Sequence, residues 1–142
     1  MNRIHRFLTY AHPENGLLLL RILLGVQMAL HGWPKMAGGP EKWAKLGSNM
    51  ELLGIHGISE FWGFMAAFAE FGGGLLLIAG FLFRPALILL IITMIVAATR
   101  HLSEGEGYMG SSHAIELGFA FLAMFFTGPG RWAADSYVFK NK

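Results

Sequence analysis

Four long runs of apolar residues occupy most of this 142-residue chain. They cover residues 17–36, 61–83, 86–100 and 113–127. At about 1.5 Å of rise per residue, the first two are long enough as helices to cross the roughly 30 Å hydrocarbon core of a bilayer, and the last two reach it if each extends about a turn into its polar flanks. The pattern predicts an all-α fold, a polytopic membrane protein built as a bundle of four transmembrane helices.

The sequence outside these runs is short, so residues 1–142 are predicted to form one domain. The one sizeable connection, about residues 40–60, combines Trp43 and Leu46 with lysines, which is typical of an interfacial amphipathic helix and also compatible with an ordered loop. The first run contains Arg21 and no cleavage motif follows it, so we expect a retained span and not a signal peptide.

The turn between the second and third runs is predicted from Arg84 and Pro85. Proline is tolerated at the start of a helix and not in its interior, so this pair is expected to end one helix and to begin the next. The second and third runs are therefore predicted to form a tight antiparallel hairpin.

The composition supports a membrane location and excludes several chemistries. Hydrophobic residues make up 54% of the chain and charged residues only 14%, against about a quarter charged in soluble proteins. A net charge of +2 without a basic cluster argues against nucleic-acid binding. The absence of cysteine excludes disulfides, cysteine-ligated iron–sulfur clusters and thiolate catalysis.

The lysines and arginines outside the apolar runs favour one orientation. Loops on the cytoplasmic side of a membrane protein carry an excess of these residues. Both termini are predicted to be cytoplasmic in the bacterial inner (plasma) membrane, because that side holds more basic residues than the other, namely Arg3, Arg6, Arg84, Arg131, Lys140 and Lys142 against Lys35, Lys42, Lys45 and Arg100.

Small and ionisable residues share one face of each run when the positions are plotted at about 100° per residue. Because small residues let membrane helices approach closely, these faces are predicted to point into the bundle, and the phenylalanines of the second run are predicted to face lipid. The faces comprise Arg21, Gly25, Met28, Gly32 and Lys35; Gly63, Ala66, Ala67, Glu70, Gly73 and Gly74; Thr93, Ala97 and Arg100; and Glu116, Ala120, Ala123 and Thr127. Together they predict a polar interior.

Glu70 is the most informative member of this interior. A charged side chain near the middle of a bilayer costs about 2.5–3.5 kcal/mol on insertion scales, so Glu70 should be either neutral or paired. Arg21 of the first run is the predicted partner, and such a pair can be either structural or functional.

A second polar group is predicted towards the other side of the membrane. His113 lies one helical turn before Glu116, and an imidazole and a carboxylate at that spacing can form a proton relay or a ligand pair. Lys35 and Arg100 are predicted to neutralise Glu116, and His31 lies on the flank of the first polar face. No metal site is predicted, because the methionines are scattered as packing residues.

Three stretches of the chain resemble the DoxX family of small four-helix bacterial membrane proteins. They read RILLGVQMALHGWPKM at residues 21–36, AEFGGGLLLIAGFLFRPA at 69–86 and HAIELGFAFLAMFFTGPGRWAAD at 113–135. One departure is Ala133 and Ala134, where members often read Ser-Leu. The family pattern falls on Arg21, His31, Gly32, Lys35, Glu70, Gly73, Arg84, Glu116, Gly128, Pro129, Gly130 and Asp135.

The resemblance implies a four-helix inner-membrane protein with a redox association. The family includes the membrane subunit of thiosulfate:quinone oxidoreductases, and relatives linked to quinone or catechol handling. We therefore expect the membrane subunit of a quinone-linked oxidoreductase, which binds a quinone in a polar pocket. The residues expected to transfer protons are Glu70, Glu116 and His113, and those expected to contact the quinone are Arg21, His31, Lys35 and Arg100.

Other functions remain open at this point. The chain contains no cysteine, flavin motif or attached haem, so electrons would have to come from a partner protein or a bound cofactor. The main alternative is a non-catalytic scaffold or assembly factor for a soluble redox enzyme, with residues 40–60 docking the partner. A b-type haem held by two of His31, His101 and His113, a small transporter, and a homo-oligomer are further possibilities.

Overall fold

The computed structural model describes residues 12–139. Helices account for 84% of the described residues and strands for none of them, and four helices are long and apolar enough to cross a membrane. This confirms the predicted all-α class and the four spans. The terminal residues Arg3, Arg6, Lys140 and Lys142, on which part of the orientation prediction rests, lie outside the described residues.

The four spans are longer or differently bounded than the apolar runs alone indicate. They are α1 (Pro13–Met36), α3 (Ser59–Ala79), α4 (Phe83–Ser103) and α5 (Gly107–Thr127). The last two are each 21 residues long, so they do extend into their polar flanks as expected.

The turn between α3 and α4 lies earlier than predicted. Gly80 ends α3 in the left-handed region with φ 65°, which glycine adopts without steric cost, and Leu82 precedes α4 with φ 46°. Arg84 and Pro85 are already inside the first turn of α4, where proline is tolerated. The hairpin is therefore confirmed, but its turn is made by residues 80–82.

The connection predicted at about residues 40–60 contains a short helix, α2 (Gly39–Gly47), and a 3-10 helix, Ser48–Leu53. A short final helix, α6 (Ala134–Val138), follows α5. Helix α2 lies directly on α3, because Gly63 has no side chain to keep the backbone of Trp43 away. The segment thus covers the N-terminal half of α3 as a cap.

The bundle packs in the order α1, α3, α4 and α5, and within the described residues the contact between α1 and α5 is much smaller than the contacts between these neighbours. Helices α1 and α3 approach most closely where Gly32 lies against the backbone of Glu70 and Phe71. A Cβ at position 32 would overlap that backbone, so glycine sets the spacing. The apolar core comprises Met28, Leu77, Phe83, Leu87, Leu90, Met94, Ala114, Phe121 and Met124.

The predicted helix faces are confirmed on α1 and α3 and wrong on α5. On α1 and α3 the small and ionisable faces are buried, and Leu23 and Phe64 on the opposite faces are exposed. On α5, Glu116 is exposed, and the helix instead packs against its neighbours through Phe121 and Met124. The buried face of α5 thus carries Ser111 and Ala114 as well as Phe121 and Met124, and it is not the face predicted from Glu116.

Candidate functional site

A cavity of about 260 Å³ lies between α3, α4 and the segment formed by α2 and the 3-10 helix. Ligand pockets in proteins commonly enclose about 300–1,000 Å³, so this one suits a single ring better than a large molecule. Most of its lining is apolar. The polar side chains on it are Lys35, Asn49, Glu70, Thr93, Arg100 and His101.

Glu70 is the most deeply buried ionisable group of this cavity. Its side chain is 4% exposed, and Oε1 accepts a hydrogen bond from Nζ of Lys35 at 2.6 Å. Its second oxygen, Oε2, is buried without a hydrogen-bond partner. Because buried polar atoms are nearly always hydrogen-bonded in folded proteins, this oxygen marks the site as chemically incomplete.

Lys35 reaches Glu70 because of the close approach of α1 and α3. Lys35 lies one turn after Gly32, the residue that brings α1 against the backbone of Glu70. The lysine side chain is 31% exposed, so the pair joins a buried carboxylate to a half-buried amine. The ammonium group carries three donors, of which Glu70 uses one.

The other end of the cavity lies at the C-terminal end of α4. Arg100 and His101 line the cavity there, and each also contacts a carboxylate of the turn that follows. Arg100 Nε donates to Glu104 at 2.9 Å, and His101 Nδ1 lies 2.7 Å from Glu106 Oε2. This end is solvent-accessible, since all four side chains are at least one third exposed.

The same turn contains the one cluster among residues 12–139 whose side chains are close enough together to bind a metal ion. Ligand atoms of His101, Glu104 and Glu106 lie within 4.8 Å of one another. Two of these side chains are exposed, and their ion pairs with Arg100 and with each other already account for their positions. We therefore interpret the group as surface ion pairs.

The predicted partner of Glu70 is wrong. Arg21 lies at the other end of α1 and donates to four backbone carbonyls, those of Leu77 and Ile78 at the end of α3 and those of Pro129 and Trp132 after α5. The distances run from 2.7 to 3.4 Å, and Arg21 is only 1% exposed. Because α1 and α3 are antiparallel, Arg21 faces the end of α3 and Lys35 faces Glu70.

Asp135 completes this arrangement, which we call the Arg21 clasp (Arg21, Asp135 and residues 128–136). The two carboxylate oxygens of Asp135 accept hydrogen bonds from the backbone N–H groups of Leu82 and Phe83, each at 2.9 Å. These are donors that the start of α4 leaves unsatisfied. The clasp thus ties α1, α3, α4 and the chain after α5 together, away from the cavity.

Glu116, His113 and His31 lie together at a third place. The rings of His31 and His113 are 6.2 Å apart between centroids, so α1 and α5 meet there. All three side chains are exposed, and none of them lines the cavity beside Glu70. Lys35 and Arg100 do not neutralise Glu116 as predicted, because they pair with Glu70 and Glu104.

The cavity therefore brings together three of the seven predicted site residues, namely Glu70, Lys35 and Arg100. Sequence reasoning left out Asn49, Met50 and Trp62 and named His101 only as a possible haem ligand, although all four residues line the same cavity. His101 could have been found, since it directly follows Arg100. Asn49 and Met50 could not, because their position depends on how the 3-10 helix folds back onto α4.

The comparisons with known proteins agree with this fold. The DoxX family profile matches residues 16–102, which include most of α1, the cap segment, α3 and nearly all of α4. The chain is 31% identical over 129 residues to the inner membrane protein YqjF of Escherichia coli (strain K12), covering 89% of this chain and 94% of that protein. No solved structure matches the chain significantly.

Proposed function

Because this chain belongs to the DoxX family and is a multi-pass protein of the inner membrane, we propose that it binds a quinone in the cavity beside Glu70. In this proposal the chain is the membrane subunit of a quinone-linked oxidoreductase, and a partner protein supplies the electrons. The observation that carries the proposal is the unpartnered, buried Oε2 of Glu70 in a residue that lines a ring-sized cavity.

The ends of the cavity suit the two carbonyl oxygens of a quinone. A bound quinone accepts two electrons and two protons as it is reduced. At the end of the cavity beside Glu70, Lys35 has N–H donors left to hydrogen-bond one carbonyl oxygen of the quinone. Glu70 can carry a proton on its free oxygen and transfer it to that carbonyl oxygen. At the solvent-accessible end of the cavity, Arg100 and His101 offer N–H donors to the second carbonyl oxygen.

The apolar lining suits the flat ring between those ends. Trp62 offers an aromatic face, and Met50 and Met65 offer polarisable thioethers that pack well against aromatic groups. Ile92, which also lines the cavity, is 49% exposed on the outer surface of α4. In this proposal a lipid-soluble ligand enters from the bilayer past this residue.

Quinone binding by the purified chain in lipid nanodiscs tests the proposal. We expect saturable binding of short-tailed ubiquinone or menaquinone analogues by equilibrium dialysis. Glu70→Gln should weaken binding about tenfold, because a hydrogen bond to a charged group is worth about 1.5–3 kcal/mol. The matched control is Glu60→Gln, the same change at an exposed position of α3, which should leave binding unchanged.

Two results would contradict the proposal: no saturable binding to the wild-type chain, or equal affinities for Glu70→Gln and Glu60→Gln. In that case the alternative function, a scaffold or assembly factor for a soluble redox enzyme, gains support. The observation in its favour is an exposed apolar stretch at the end of the 3-10 helix and directly after it, where Leu52, Leu53, Ile55 and Ile58 are 39–76% exposed. Co-purification of a soluble redox enzyme without bound quinone is the result that this alternative predicts.

A further inference from the structure

Four polar side chains form an exposed face on α1 and α5, which we call the α1–α5 polar face: Gln27, His31, His113 and Glu116. Apart from the ring contact between the two histidines, none of the four has a hydrogen bond or ion pair with any residue in the range 12–139. The face belongs neither to the cavity beside Glu70 nor to the Arg21 clasp.

Two of these side chains, Glu116 and Gln27, lie well inside their helices. Glu116 is nine residues after the start of α5 at Gly107, and Gln27 is nine residues before the end of α1 at Met36. At about 1.5 Å per residue each is about 14 Å from its helix end. A carboxylate inside a span is costly when it faces hydrocarbon, so the face needs a polar cover.

The composition of the face indicates what covers it. A single patch carries a carboxylate acceptor, two imidazoles that can donate and accept, and an amide that does both. Such a patch can complement itself, because its carboxylate and its imidazoles are matching acceptor and donor groups that a two-fold axis can bring together. Ala123 is exposed two helical turns after Glu116 and has no long side chain to hold a second helix away.

We infer that the α1–α5 polar face is the interface of a homodimer, in which Glu116 of each chain pairs with His31 or His113 of the second copy. Polar side chains that hydrogen-bond across helices contribute directly to association in a bilayer. The dimer leaves both cavities on the outside, since the cavity lies between α3 and α4. The inference therefore does not depend on quinone binding.

The chain suits disulfide cross-linking because it has no cysteine of its own. Single cysteines at Ala120, Ala123 and Thr127 of α5 sample successive turns of the proposed interface, and a disulfide forms only where Cα atoms lie within about 7 Å. The matched control is Ile88→Cys, on an exposed part of α4. On oxidation in native membranes, we expect at least one of the α5 cysteines to give a dimer of this chain and Ile88→Cys to stay monomeric.

Glu116→Gln, placed in the cysteine variant that cross-links best, should lower the dimer yield by about three- to tenfold. Native mass spectrometry of the cysteine-free chain gives a second measurement, in which we expect the mass of two chains. A monomer there overturns the inference. Three other results would also overturn it. They are cross-linking of the α5 cysteines to a different protein instead of a second copy, equal dimer yields for Ile88→Cys and the α5 cysteines, and a dimer yield that Glu116→Gln leaves unchanged.

Discussion

Arg21 and Glu70 are both buried ionisable side chains in membrane-spanning helices, and their surroundings differ in one decisive way. Arg21 donates to four backbone carbonyls from two parts of the chain. Glu70 has one partner, Lys35, and one oxygen with none. A buried charge that is hydrogen-bonded through every nitrogen fixes a structure, whereas a buried charge with a free acceptor beside a cavity can still interact with a ligand.

The comparison also divides the residues that carry the family pattern. Arg21, Pro129 and Asp135 belong to the clasp, where they join helix ends. Lys35 and Glu70 belong to the cavity. The family pattern thus contains a structural part and a candidate binding part, at opposite ends of α1.

The largest effect is expected for Arg21→Met, which removes the centre of the clasp. Four carbonyl oxygens lose their donor in a buried place, and breaking a buried charged network costs about 3–5 kcal/mol. Thermal unfolding in detergent should show a large fall in the midpoint, together with reduced yield in the membrane. Arg21→Lys keeps the charge but loses the planar set of N–H donors, so its unfolding midpoint should lie between those of the wild type and Arg21→Met. A midpoint like that of the wild type would show that the clasp is not structural.

The fold was largely predictable from the sequence, because length and hydropathy alone define a membrane span. The boundaries were harder. The turn at Gly80 and Leu82 lies inside a continuous apolar run, and hydropathy does not change there. The short helix α2 was predictable only as one of two possibilities, since its place on α3 depends on a close contact at Gly63.

The partner of Glu70 could have been predicted by comparing depths. In two antiparallel spans, the start of one lies level with the end of the other, so Arg21 near the start of α1 faces the end of α3. Helix faces alone ignore depth and therefore suggested the wrong pair. The exposure of Glu116 could not be foreseen in that way, because α5 buries the face of Ala114, Phe121 and Met124 and not the face that carries Glu116.

An intermediate effect is expected for Lys35→Met, which leaves the carboxylate of Glu70 buried without a partner. An unsatisfied buried polar group costs about 1–3 kcal/mol, and Glu70 at 4% exposure has little access to water. The unfolding midpoint should fall by less than for Arg21→Met. The double variant Lys35→Met with Glu70→Gln should recover most of the loss, since the buried charge is then gone. A double variant as unstable as Lys35→Met would contradict this account of the pair.

The smallest effect on stability is expected for Glu70→Gln alone. The partner left behind is Lys35, whose side chain is 31% exposed and can turn towards a polar environment. The change should therefore cost about 1 kcal/mol or less, as for partly exposed ion pairs. Measuring both the unfolding midpoint and quinone binding of Glu70→Gln separates a structural role of Glu70 from a binding role. The proposal requires a near-normal midpoint together with weakened binding. If Glu70→Gln unfolds as readily as Arg21→Met, the pair with Lys35 is structural, and the contrast between the clasp and the cavity is lost.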